Sequence, residues 1–341
     1  MKHYIRGFNL IELLVAIAIS ASIISAIVFS YSNLFSGYLF NNTKIDAQQS
    51  LKLAMSMIRH DVQNAGVFGS FSLHNASAGS MYNSIGSSCG NEWCTLDTAG
   101  VGVMGISSAP AGSGISGLTS EILRVQYGVN KVNYLTAIES MACASNNCIN
   151  RMQFNNNGSV DLSASSYILA SANHLYSLNG IGTPTTDGSN VIFNNLVGAN
   201  YFIQIESQSD GIIYDPDQYT MQLMNLNTKY YYVATVNSQR GLYVVTFNGV
   251  SLSSPVLIST AISNLSLKYI IYTTTSPNFS NSPVNDSYTI CTTSEMNNSG
   301  NSRCFNRWGR VLSVIITLTS SVTNGANTTT QTISDNIGWL R

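Results

Sequence analysis

One carboxylate stands inside a long apolar run near the amino terminus. The leader Met1-Lys2-His3-Tyr4-Ile5-Arg6-Gly7 is short and basic, the chain then stays apolar to about Tyr31, and Glu12 is the charge that interrupts it. A carboxylate in a membrane span costs roughly 2.5–3.5 kcal/mol on insertion scales, so an acid placed there implies a partner and a use.

Other residue types that could do chemistry are sparse. The chain holds six cysteines: Cys89 and Cys94, Cys143 and Cys148, and Cys291 and Cys304. The spacing gives two C-x4-C pairs and one C-x12-C pair. Six cysteines allow 15 connectivities; local pairing into loop-stapling disulfides is the natural expectation. Zinc is the competing reading, but no C-x2-C occurs and His74 and His174 sit in no ligand-like pattern. Asp210, Asp215 and Asp217 offer the oxygens that calcium prefers, although their loop is not an EF-hand and a turn with solvated carboxylates explains them as well. Gly100-Val101-Gly102-Val103-Met104-Gly105 spells G-x-G-x-x-G. A phosphate cradle needs a strand before it and a helix after it, whereas Ser107-Ser108-Ala109-Pro110 follows, so it reads as a flexible loop. No G-x-S-x-G elbow or H-E-x-x-H helix is present. The remaining histidines, His3 and His60, lie in the leader and on a helix. No catalytic residue, cofactor or metal is expected.

Length decides what the apolar run is. From Leu13 to Phe29 no residue is charged, and with 8–11 added the run reaches the ~20 residues that cross a ~30 Å hydrocarbon core. A cleavable secretory signal has a shorter apolar region followed by a small-x-small site. Ala16-Ile17-Ala18 and Ala18-Ile19-Ser20 have that look but fall in mid-run. The span reading is the stronger, and Lys2 and Arg6 before it direct the amino terminus to the cytoplasm and the bulk outside. Ala16, Ala18, Ser20, Ala21, Ser22, Ser25 and Ala26 make it rich in the small residues that let membrane helices pack closely.

The helical pattern outlasts the membrane. Leu51, Ala54, Met55, Ile58, Val62 and Ala65 recur at i, i+3, i+4 and i+7, a one-sided apolar stripe that must be buried against something. Gly66 is the expected stop. Gly37 and Asn41-Asn42 are the points where so long a helix could bend.

Gly7-Phe8-Asn9-Leu10-Ile11-Glu12-Leu13 resembles the type III signal of type IV pilins and their relatives, G-F-[ST]-L-[IL]-E-[LM], with Asn9 in place of the usual Ser or Thr. The resemblance implies cleavage by a prepilin peptidase between Gly7 and Phe8 and N-methylation of Phe8. It also implies that Glu12 pairs with the amino terminus of a neighbouring subunit. Met57-Ile58-Arg59-His60-Asp61-Val62-Gln63-Asn64-Ala65-Gly66-Val67-Phe68-Gly69 is similar to the end of the amino-terminal helix in PilW-like minor pilins, from which His60 and Gln63 depart. Leu123-Arg124-Val125-Gln126-Tyr127, Tyr231-Tyr232-Val233-Ala234-Thr235, the segment 262–269 and Arg310-Val311-Leu312-Ser313-Val314 resemble that family's later strands, in the right order.

Beyond the helix the chain looks β-rich and polar-surfaced. Only 9% of residues are charged and the net charge is −1, so there is no electrostatic case for nucleic acid. Asn, Ser, Thr and Gly abound, while 44% apolar and 10% aromatic content argues for a core over disorder. Strands are expected at 122–129, 132–138, 167–169, 201–206, 230–236, 242–247, 265–272 and 311–318. Apolar residues fill one face of the last, as a half-buried strand requires. Asn237-Ser238-Gln239-Arg240-Gly241 is the clearest hairpin loop. Asn157-Gly158, Asn179-Gly180, Asn248-Gly249 and Asn324-Gly325 mark further turns. The segments 99–117 and 278–301 read as long loops.

The expected fold is therefore α+β. A leader occupies 1–7, the transmembrane part of a long helix 8–31 and its amphipathic part 32–66. A large β-rich, antiparallel, pilin-like periplasmic head occupies 67–341. The expected function is that of a minor pilin in type IV pilus assembly or initiation, at or near the tip, and not an enzyme. Its partners would be other minor and major pilins, the prepilin peptidase and the inner-membrane assembly platform. It would be a single-pass inner-membrane protein before assembly and part of the cell-surface pilus after. A pseudopilin of a type II secretion system and a pilus-tip adhesin are the alternatives.

Overall fold

The computed structural model describes residues 10–67, 81–83, 102–109, 115–142, 147–155, 167–170, 175–177, 185–187, 190–194, 222–247, 252–272, 288–301, 303–304, 311–324 and 327–338. One helix, α1 (Leu10–Asn64), runs without a break for 55 residues. Gly37 and Asn41-Asn42 do not interrupt it. At 1.5 Å per residue it is about 80 Å long, far more than a membrane core needs. Residues 10–39, its first half, are exposed along their whole length. Its second half buries Leu51, Ala54, Met55, Ile58 and Val62, and Ala65 just beyond it continues the row, each 4% exposed or less. These are the residues of the stripe read from the sequence. At about 1.5–3 kcal/mol for each large side chain, this stripe supplies on the order of 10 kcal/mol of helix–head attachment.

The rest of the described chain is almost all strand. The larger sheet has 11 strands. Its middle is made by two long strands, β3 (Ile122–Ala142) and β9 (Gln222–Val236), paired antiparallel. The other neighbours of β3 are β2 (Val103–Ile106) at its start and β4 (Asn147–Asn155) at its end. β4 continues the sheet to β8 (Asn190–Asn194) and β7 (Thr185–Asp187). On its far side β9 pairs with β10 (Gln239–Phe247) and β5 (Tyr167–Ala170). Beyond these lie β11 (Val256–Ser259), β6 (Leu175–Ser177) and β1 (Met81–Asn83). The β1–β6 pair is parallel, an exception to the expected antiparallel pairing.

A second sheet of four strands runs β13 (Tyr288–Thr292), β12 (Ile262–Tyr272), β14 (Val311–Asn324) and β15 (Asn327–Gly338). A short helix, α2 (Thr293–Asn297), follows β13 directly. The inner face of this sheet, with Leu265, Leu267, Tyr269, Val314, Ile316 and Leu318, meets the helix stripe and the near face of the larger sheet in one continuous core. The opposite face of the larger sheet carries its own cluster, with Tyr230, Tyr232, Tyr243 and Phe247.

Several sequence expectations need correction. The segments 122–129 and 132–138 are one strand, because β3 passes from one set of partners to the next without a break. The hairpin loop expected over 237–241 is two residues long: Asn237 and Ser238 take φ of 50° and 64° and Gln239 pairs with Val236. Two left-handed residues give the I′-type twist that matches the strands, so pairing starts earlier than composition indicates. The long loop expected over 99–117 contains β2, whose Val103 and Ile106 are buried. The other long loop, 278–301, contains β13 and α2. β15 was missed because Thr, Asn, Gln and Ser dominate it; its twelve residues are held by pairing along β14. The candidate strand at 201–206 lies outside the described residues.

Candidate functional site

The first half of α1 presents an uncovered apolar surface. Leu10, Phe29 and Leu34 are at least 70% exposed, and the helix is long and apolar enough to cross a membrane. Ser20, Ser22 and Ser25 donate their hydroxyls to the carbonyls of Ala16, Ala18 and Ala21, at 2.7–2.8 Å. The serines are thus satisfied within their own helix, and their small side chains leave its surface smooth. Glu12 stands in the first turn, where a negative charge suits the helix dipole. Gly7 and Phe8 lie outside the described residues.

At its other end α1 is fastened to the head by charge. Asp61 is the acid on the buried side of the last turns, 3% exposed. The Lys229 ammonium donates to both its oxygens, at 2.8 and 3.1 Å. The Tyr127 hydroxyl donates to Oδ1 at 2.8 Å and the Tyr231 hydroxyl donates to Oδ2. Asn227 in turn donates to the Tyr127 oxygen at 3.0 Å. β3 supplies Tyr127, while β9 supplies Asn227, Lys229 and Tyr231 at alternate positions, so strand periodicity aims all three at the helix. His60 Nδ1 lies 3.5 Å from Oδ1 on the exposed side. Burial alone would raise the Asp61 pKa; the hydrogen bonds from Lys229, Tyr231 and Tyr127, with the lysine charge, reverse that and hold it below its ordinary value. Burial and the adjacent carboxylate push both tyrosines well above theirs.

Two further ties hold the junction. Arg59 bonds Asp335 of β15 through Nε at 2.6 Å and through its terminal nitrogen. The helix then stops at Gly66, whose φ of 76° turns the chain onto the sheet. The Gly66 amide donates to Gln126 O at 2.9 Å, and Gly128 N donates to Val67 O at 2.9 Å, so the residues after the helix pair with β3. Gly102 lies against this turn: a Cβ there would sit 2.4 Å from Gly66 N.

The junction was not expected from the sequence, where Asp61 entered only as part of a motif. The signal was there: Asp61 falls three residues after Ile58 and four before Ala65, on the apolar stripe itself.

Of the cysteine pairs, Cys291 and Cys304 form a disulfide. Cys89, Cys94 and Cys143 lie outside the described residues, and Cys148 is placed on β4 opposite Met141. Asp210, Asp215 and Asp217 also lie outside, as do His3, His74 and His174. Among the described residues no three His, Cys, Asp or Glu side chains gather to hold a metal ion. A shallow cleft lies between residues 118–121 and the start of β12. Its acid, Glu121, accepts the Leu267 amide at 2.6 Å and so ties the two sheets together; burial raises its pKa.

Compared with known proteins, the chain matches no family model, no curated protein and no solved structure.

Proposed function

We propose that this chain is a structural subunit, built into a larger assembly through α1: a PilW-like minor pilin that takes part in type IV pilus assembly or initiation, at or near the tip. The observation that supports this best is the division of α1. One half of a single continuous helix is locked into the head by a buried stripe and a buried ion pair. The other half extends as a bare apolar rod with a carboxylate in its first turn. An anchor that served only to tether the head would need neither Glu12 nor a rigid continuation into the core.

On this reading the chemistry is done to the protein. A prepilin peptidase cuts between Gly7 and Phe8 and methylates Phe8, and the new amino group, carried by a neighbouring subunit, meets Glu12. Two opposite charges in an apolar bundle satisfy each other. Other minor and major pilins are the partners, and the inner-membrane assembly platform receives the subunit.

The mass of the mature amino terminus tests the proposal. N-methyl-Phe8 as the first residue is the expected result. An intact Met1 in cells with active prepilin peptidase overturns it.

A further inference from the structure

Outside α1, the described head exposes four large apolar side chains: Val67, Val256, Tyr288 and Ile290. Tyr288 and Ile290 belong together. They alternate on β13, are 53% and 57% exposed, and so stand on one face of an edge strand. β13 pairs with β12 on one side, and no described strand lies on its other. An edge of this kind is usually blunted with charge, proline or a bulge. The sheet's other edge is polar: Thr328, Thr330, Thr332 and Ser334 are exposed on β15, and its one charge, Asp335, is engaged by Arg59. β13 is left apolar.

It is also held rigid. Cys291, inside the core, ties the strand to Cys304. Thr292 caps α2 in a capping box with Glu295, and Asn298 and Asn301 close the turns that lead back to the disulfide. A surface already ordered loses little entropy on binding. On the same face, one strand inward, Lys268 sits opposite Thr292 and is exposed. Among the described residues it makes no ion pair. In a chain with only 9% charged residues, a cation beside two exposed apolar side chains gives the patch a definite chemistry.

We propose that β13 is a docking edge for an extended segment of a partner protein. That segment lays apolar side chains at alternate positions against Tyr288 and Ile290 and carries a carboxylate to Lys268. Strand addition supplies main-chain hydrogen bonds, and the alternating side chains supply selectivity. The contact is small, so the complex is of the weak, transient class. The inference stands whether or not the chain is assembled into a filament.

The test places a photo-crosslinking p-benzoylphenylalanine at position 290 of the full-length chain in its own cells, and maps adducts by peptide mass. The expected adduct is one peptide of another protein, with Asp or Glu close to the linked residue. Lys268→Glu lowers its yield by about 10-fold or more, since like charges face each other across the contact. Reversing the partner's acid to lysine restores it. The probe moved to Tyr288 gives the same peptide, and at Thr330 on β15 it gives none. All these positions are exposed, and an unchanged melting temperature confirms folding. No adduct at 290, adducts with lipid alone, adducts with a second copy of this chain, or a yield indifferent to Lys268→Glu would each overturn the proposal.

Discussion

Asp61 and Lys229 meet 168 positions apart in the chain, with Nζ 2.8 Å from Oδ2, and join the last turns of α1 to the central strand β9. Breaking a buried pair from one side strands the other charge, at a cost of about 3–5 kcal/mol. Asp61→Ala and Lys229→Met are each expected to destabilise the full-length protein in detergent by that amount, measured by urea unfolding. The double variant is expected to lose less than the sum, because no charge is left behind.

Two acids give opposite dependences on pH. Asp61 is held below its ordinary 3.8, so its contribution is complete above that pH and is lost as pH falls through the lower folded value. Glu121 is raised above 4.5, so its contribution is present below that pH and is lost as pH rises through the higher folded value. Melting curves taken from about pH 3 to about pH 7 should therefore separate the variants. Asp61→Asn flattens the acid limb. Glu121→Gln removes the loss on the rising side, so its advantage over the parent grows with pH.

Gly102 has φ of 94°, and an added methyl would collide with the Gly66 backbone. Gly102→Ala is expected to destabilise by roughly 2–3 kcal/mol, combining backbone strain with a forced shift of the helix end. Faster amide exchange at Gly66 and Gly128 should accompany the loss, and exchange across β7 and β8 should not change.

For Glu12 the expected result separates processing from assembly. On the proposed minor-pilin reading, Glu12→Ala should leave cleavage after Gly7 largely intact, while co-purification with partner subunits falls sharply. Unchanged co-assembly would count against a paired charge at this position.

The Cys291–Cys304 disulfide spans a sequence separation of 13. Replacing both cysteines with serine is expected to cost about 3 kcal/mol, the chain-entropy value for a loop of that size. The loss should appear in thermal melting, with proteolysis beginning in 293–303.

The sequence showed the helix well. The stripe from Leu51 to Ala65 has a period that only one buried face explains, and every residue of it is buried. The strands with strong apolar alternation, at 230–236, 242–247 and 311–318, were equally visible. β15 was not, because its stability comes from a register with β14 rather than from its own side chains. The ion pair at Asp61 was hidden for a related reason. A helix pattern marks Asp61 as misplaced, but the partner sits among Tyr230, Tyr231 and Tyr232, where a lone lysine looks like surface. The two meet only when β9 is laid under α1. The loops assigned to 99–117 and 278–301 failed because β2 and β13 are too short for periodicity to register.

The core that holds α1 is shared with β14 and β15, so synthesis imposes a schedule on it. Leu51, Met55, Ile58 and Val62 are made early, yet some of the surface they pack against arrives only with Val314, Ile316 and Ile337. At roughly 5–20 residues per second the intervening chain takes on the order of 15–50 s to appear. For that interval the cover of the stripe is incomplete, even after β3, β9 and β12 have been made. A product that ends before β15 would lack Ile337 and so leave this core short of its last wall.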